Sequence, residues 1–213
     1  MIETLVTESN RQLNRLYSQR FSPTDLAEMM AFMGLLILRG TYRASGEAIK
    51  ELWSSTHGCP VFPSTMSLNR FKLIRTVLRF DNVSTRQGRL ARDKLAAVQL
   101  LIHGFTTNSQ KAMVPGESVT IDEQLYPYRG RCRYRQFMPS KPAKYGLKFW
   151  LLCDSSSFYC YNAIFYCGKV EERPTNVSLG QHVVVSCSTT FWIRKKCDLR
   201  KKFFVFVLGT EIV

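Results

Sequence analysis

The hydrophobic pattern changes its period at Pro115-Gly116, and this change constrains the fold more than any other feature of the chain. Before that dipeptide, apolar residues recur at helical spacing. Leu68, Phe71, Ile74 and Leu78 form one stripe, and Leu95, Val98, Leu101, Ile102 and Phe105 form another. After it, apolar residues come in runs of strand length, at 118–125, 147–153 (LKFWLLC) and 158–167 (FYCYNAIFYC). Helices followed by strands read as an α+β chain with its boundary near residue 115.

Local signals fill in the helical half. In FSPTDLAEMMAFMGLLILRG, Ser22 is a natural N-cap, Pro23 suits the first helical position, Asp25 stands where a capping-box acid would, and Gly40 can stop the helix. That helix is apolar nearly all round and is expected to be central. Ser45 can cap a short second helix ending near Trp53. A third helix starts near Ser64 or Ser67 and runs to Phe80, residues 57–63 and 81–92 read as loops, and Asp93 caps a fourth helix.

The chain of 213 residues carries 30 Lys and Arg against 16 Asp and Glu, a net charge of +14. Such a surplus favours polyanionic partners, nucleic acid first and an anionic membrane surface second. The longest apolar run, 31–38, is too short to span a bilayer, and MIETLVTESN lacks the apolar stretch of a signal peptide. The seven cysteines form no C-x-x-C pair and read as reduced, buried thiols. Cys153, Cys160 and Cys167 recur every seven residues, which invites a zinc reading. The strand pattern and the absence of a histidine among them weigh against it.

Two basic sets stand out. Lys72, Arg75 and Arg79 form a stripe that either contacts phosphates or is a solvated helix face. Between residues 124 and 153 there are seven basic side chains and no acid: Arg129, Arg131, Arg133, Arg135, Lys141, Lys144 and Lys148. Tyr126, Tyr128, Tyr134, Phe137 and Tyr145 interleave them. Guanidinium forks grip phosphates and aromatic faces stack unpaired bases, so the combination points to nucleic acid. At the head of this passage stands Asp122, either a solvated strand-end residue or a hard oxygen ligand for Mg²⁺. Two-metal phosphoryl transfer places its ions about 4 Å apart and needs several acids, so Asp122 cannot perform it alone.

VTIDEQL, followed by YRGRCRYRQFMPSKPAKYGLKFWLLCDS, resembles the first catalytic segment of piggyBac-type transposases and of the domesticated proteins derived from them. Upstream, FMGLLILRG, ELWS, STMSLNRF, LRFDN and VPGESVTIDEQ are similar to the helical region that precedes that segment, and SLGQHVV continues the likeness to about residue 190. The resemblance implies cut-and-paste DNA transposition on a ribonuclease-H-like fold with three metal-binding aspartates and Mg²⁺. It also implies an all-helical dimerisation and DNA-binding region. Asp122 matches the first aspartate, and Asp154, in the CDS position, matches no catalytic acid and is expected to be structural. The implied organisation is a helical dimerisation and DNA-binding region over 1–115, the opening of a ribonuclease-H-like mixed sheet over 116–190, and a divergent tail over 191–213.

The tail departs from the family. Where a segment like RNVTCDNFFTS with the second aspartate is expected, the chain reads FWIRKKCDLRKKFFVFVLGTEIV. Asp198 follows Cys197 as that aspartate would, but its other neighbours do not match. One set of codons permitted for residues 195–200, AAG AAA TGT GAC CTG CGA, encodes Arg-Asn-Val-Thr-Cys when read one base later, so a frameshift through the catalytic motif is the expected origin of the tail. The tail gives no clear sign of the sheet's remaining strands, and the apolar run 203–208 is expected to be an exposed association hazard. The expected protein is therefore a truncated, catalytically inactive, nuclear DNA-binding relative of a transposase, with DNA and a second copy of itself as partners and no membrane or small-molecule substrate. The alternatives are an active enzyme whose missing acids come from another chain or a fuller isoform, and a decayed gene product.

Overall fold

A computed structural model describes residues 1–42, 46–116, 118–168, 182–183, 185–187 and 204–207. The chain forms two compact units, 1–101 and 102–213. The first is helical: α1 (Ile2–Tyr17), α2 (Leu26–Thr41), α3 (Ile49–Leu52), α4 (Val61–Thr65), α5 (Leu68–Val77) and α6 (Val83–Leu90). The second follows α7 (Gln99–Ala112) with β1 (Ser118–Pro127), β2 (Gln136–Phe137), β3 (Tyr145–Asp154), β4 (Cys160–Phe165) and β5 (Phe204–Val207). The α+β class expected from the change of period is observed.

The helical core gathers Leu5 of α1, Met29, Phe32 and Leu35 of α2, Leu52, Phe62, Met66, and Phe71 and Ile74 of α5. Phe71 is its centre. Its ring lies 5.0 Å from Phe32 and 4.9 Å from Trp53, whose indole N–H donates to the Met66 carbonyl at 2.9 Å. Thus the apolar stripe of α5 docks against α2, and the Trp53 hydrogen bond leaves no unsatisfied donor there.

Several helix boundaries differ from the sequence reading, each for a local reason. α2 is capped by Asp25, not Ser22: the Asp25 carboxylate accepts from the Glu28 N–H at 2.7 Å. Residues 22–24 are held by other partners. Arg70 donates to the Ser22 and Pro23 carbonyls, and Thr24 exchanges two hydrogen bonds with the Asn10 side chain. Arg70 also grips Glu28 through two 2.6 Å hydrogen bonds, which keep that carboxyl below its ordinary range. α2 buries only one face, with Met30 and Ile37 exposed, so it is not central on all sides. It runs through Gly40 to Thr41. The expected cap Ser45 lies outside the described residues.

α4 and α6 occupy stretches that read as loops. α6 buries none of its residues and so leaves no apolar stripe to read. It is held by charge instead: Arg86 and Arg89 both hydrogen-bond the buried Asp81 carboxylate, and Asn82 caps the helix. Burial pushes the Asp81 carboxyl up, but these two guanidinium groups outweigh it and leave the group below its ordinary range. The expected fourth helix starts at Gln99 because Asp93 accepts from the Leu95 N–H and caps a turn.

The sheet runs β2-β3-β1-β5, with β4 beside β2 on the same edge of β3. β1, β2 and β4 pair with β3 antiparallel, while β5 pairs with β1 parallel, Ser118 to Ile121 against Phe204 to Val207. The sheet is therefore mixed, as expected. It also corrects the expectation for the tail, whose backbone at 204–207 supplies a fourth long-range pairing. One sheet face is the core of this unit: Val119, Ile121, Leu152 and Tyr161 pack with Val183 and Cys187.

Phe71→Ala removes a fully buried ring from the centre of the helical core. It is expected to lower the unfolding free energy of that unit by about 3–4 kcal/mol, read as a shifted urea midpoint with an unchanged slope.

Candidate nucleic-acid interface

β1 and β3 pair without interruption from Val119↔Asp154 to Pro127↔Gly146. Alternation along β1 therefore separates the two neighbouring acids. Val119, Ile121 and Leu125 are buried on the core side, and Glu123 shares that side. Thr120, Asp122 and Gln124 belong to the other face, where the Thr120 hydroxyl lies 3.0 Å from that of Ser155.

The two acids have different neighbours. Glu123 lies 3.6 Å from Lys141 and 3.8 Å from Lys148, and Lys141 also donates to the Glu123 carbonyl at 3.3 Å. Lys148 lies over the Trp150 ring, 4.1 Å from its centroid. Glu123 thus ties the basic passage back to β1, a role that the sequence reading missed. The adjacent acids and the period-two pattern were its available signal. Asp122 is half-buried and accepts from the Glu123 N–H at 2.7 Å.

Mg²⁺ requires close to six oxygens in octahedral array. Among the described residues no group of three or more His, Cys, Asp or Glu could hold a metal ion. Asp122 supplies one carboxylate, and Asp198 lies outside the described residues. The described donor set does not fit the implied ion, and no metal-dependent step follows from it. Cys153, Cys160 and Cys167 likewise form no such group.

The connection from β1 to β3 carries the basic side chains. Arg129 and Gly130 are exposed, and from 131 to 138 exposure alternates: Arg131, Arg133, Arg135 and Phe137 are exposed, while Cys132, Tyr134, Gln136 and Met138 are half-buried. The aromatic rings support this alternation. Tyr134 meets Phe165 edge-on at 6.1 Å, Phe165 meets Phe149 at 4.9 Å, and Phe149 meets Tyr126 at 5.4 Å. Arg133 lies over Tyr134 and Arg135 over Tyr145, at 5.2 and 5.3 Å. Arg135 also donates to the Arg129 carbonyl at 3.3 Å, which draws the loop closed. Phe137 and Tyr145 face each other at 4.8 Å and are both exposed. Lys144 is exposed at the far end of the loop. Gly146 closes it, because a Cβ there would meet the Tyr126 carbonyl oxygen at 2.2 Å.

Lys72 and Arg75 are exposed on α5, in the helical unit. Arg79 lies beyond the helix end and folds back onto the Thr76 and Leu78 carbonyls, so the three do not form one open row.

Asp154 ends β3 and is almost fully buried. Its carboxylate accepts from the Ser157 N–H, the Ser156 and Ser157 hydroxyls and the Gly116 N–H. These four donors, the Ser157 amide foremost, hold its carboxyl far below the ordinary aspartate range against the opposing effect of burial. The cage joins the turn after β3 to the entry of β1, a structural role in keeping with the sequence expectation.

A family model described as Transposase IS4 matches residues 1–195. The chain belongs to this transposase family, and within it is of piggyBac type. PiggyBac transposable element-derived protein 3 of Homo sapiens is 28% identical over 140 residues, covering 63% of this chain and 22% of that protein. The Chimeric ERCC6-PGBD3 protein of Homo sapiens is 28% identical over the same length, and 12% of it is covered. A cryo-EM structure of the piggyBac transposase synaptic complex with hairpin DNA superposes with a TM-score of 0.81 at 29% identity, over 88% of this chain and 40% of that one. This piggyBac-type chain thus spans less than half the length of the relatives it matches. No described helix is long and apolar enough to cross a membrane.

Asp154→Asn weakens the four-donor cage. The stabilisation from the ionised carboxylate is complete above the ordinary aspartate value near 3.8 and is lost as pH falls below it. The variant is expected to unfold at lower urea than the parent at neutral pH, with the gap closing as the solution is acidified through that value.

Proposed function

We propose that this piggyBac-type chain binds DNA through the loop between β1 and β3, and that it does not cleave DNA by itself. The observation that carries this reading is the spacing along 129–135: four arginines exposed at every second position, with Cys132 and Tyr134 between them half-buried. Guanidinium groups so spaced present hydrogen-bond forks to a phosphate backbone, and the exposed Phe137 and Tyr145 rings offer stacking surface beside them. The solved relative with TM-score 0.81 is a complex with hairpin DNA, which supports the same substrate class here. Lys72 and Arg75 on the helical unit offer further cations to phosphate, and DNA binding of this kind is exercised in the nucleus.

Asp122 is the first acid of the family's metal site in this reading. Cleavage requires further carboxylates, which another chain or a longer form of this one would bring. A second copy of the chain is the natural partner for the helical region over 1–115.

Binding to a DNA duplex measured by fluorescence anisotropy across a salt series is expected to give a linear log–log plot. Replacing Arg129, Arg131 and Arg133 together with alanine is expected to lower its slope by about 3, near one unit for each phosphate no longer neutralised. Binding without salt dependence, or unchanged by the triple substitution, would overturn the proposal.

A supercoiled-plasmid nicking assay with Mg²⁺ is expected to show no activity above that of the Asp122→Ala variant. Nicking by the parent alone would instead establish a complete catalytic site.

A further inference from the structure

The β3–β4 pairing contains one irregularity, and it sets two thiols against each other. Leu152 pairs with Asn162, but the next residue, Cys153, pairs with Cys160, so Tyr161 is an extra residue on β4. A bulge of this kind turns both of its residues to one side. Tyr161 and Asn162 are indeed both buried on the core side with Leu152, and the Asn162 amide donates to the Cys187 carbonyl there at 2.8 Å. Past the bulge the strand resumes its alternation. Cys160 therefore stands opposite Cys153 on the outer face, the face that carries Thr120 and Asp122.

From this register we infer that Cys153 and Cys160 are a redox-active pair that closes to a disulfide across β3 and β4. Directly opposed residues of antiparallel strands have Cα atoms about 4.5–5.5 Å apart, inside the roughly 4.4–6.8 Å range of disulfides. Both residues are free thiols, half-buried and so within reach of a small oxidant.

Their environments differ. The Cys160 thiol hydrogen-bonds Cys153 and also lies 3.5 Å from the Asn162 carbonyl oxygen, so its proton is held from both sides and its ionisation is pushed far up. The same hydrogen bond brings Cys153 down to about 7, against the opposing effect of burial. Cys153 is thus the attacking sulfur and Cys160 the resolving one. Cys187, whose thiol burial pushes up to about 12, remains inert.

With a peroxide as oxidant the steps balance. The Cys153 thiolate attacks a peroxide oxygen; an S–O bond forms, the O–O bond breaks, and the departing hydroxide takes a proton to become water. Cys160 then attacks the sulfenic sulfur; the S–S bond forms, the S–O bond breaks, and the proton of Cys160 leaves with that oxygen as a second water. Two thiols have lost two electrons to one peroxide. The bond fastens β4 to β3 beside the turn held by Asp154. It is independent of the DNA-binding proposal and does not require it.

The test uses the purified, fully reduced chain, treated with hydrogen peroxide, quenched with N-ethylmaleimide, digested and analysed by mass spectrometry. Two maleimide-reactive thiols are expected to disappear, with a reducible link between Cys153 and Cys160 that survives Cys167→Ser and is absent from Cys160→Ser. In Cys160→Ser, dimedone is expected to trap a sulfenic acid at Cys153, a readout that also covers the case in which the parent disulfide forms too fast to follow. Both cysteines remaining fully labelled, a link to Cys167 in place of Cys160, or the same link formed equally well in urea, would each overturn the inference.

Discussion

The antiparallel pairing of β1 with β3 governs the rest of the sheet unit. Its register runs from Val119↔Asp154 to Pro127↔Gly146, and a slip of one residue would turn every side chain of one strand to the wrong face relative to the other. Two features hold it at opposite ends. At one end, Asp154 joins the Gly116 amide to the serine turn. At the other, Gly146 lets the Tyr126 carbonyl approach where no side chain could fit. Between them the pleat decides which acid faces which way. Glu123 reaches Lys141 and Lys148, and Asp122 belongs to the outer face with Thr120.

Charge is distributed unevenly around this frame. The passage from 124 to 153 has no acid of its own, and Glu123, just before it, neutralises lysines near its end. The arginines of 129–135 are carried on alternate residues of a loop whose inward side chains rest on an aromatic chain, Tyr134 to Phe165 to Phe149 to Tyr126. An irregular loop is thereby given a fixed inner surface, and its cations are presented outward. That ordering limits the side-chain and backbone entropy a polyanion would otherwise have to remove on binding.

The helical unit combines two kinds of attachment. Phe71, Phe32 and Trp53 form an aromatic centre that conforms to ordinary core packing. Around it, helix ends are held by ion pairs with hydrogen-bonding geometry: Arg70 on Glu28, and Arg86 with Arg89 on Asp81. Apolar periodicity finds helices of the first kind and misses those of the second. That is why α5 is legible in the sequence while the stretch that forms α6 reads as a loop.

Local chemistry along the chain was enough to determine the α+β class, the three longest strands, the structural role of Asp154 and the family. Period, capping residues and motif order all act between near neighbours. Tertiary structure decided the rest. The parallel pairing of β5, the attachment of Glu123 to Lys141, the collapse of Arg79 onto its own backbone and the confrontation of Cys153 with Cys160 each depend on contacts or registers that spacing alone does not encode. For the cysteines, a seven-residue interval is compatible with a metal ligand pair, two unrelated strand positions or a cross-strand pair. One extra residue in β4 selects the last, because a bulge changes which side chains share a face without altering their separation along the chain.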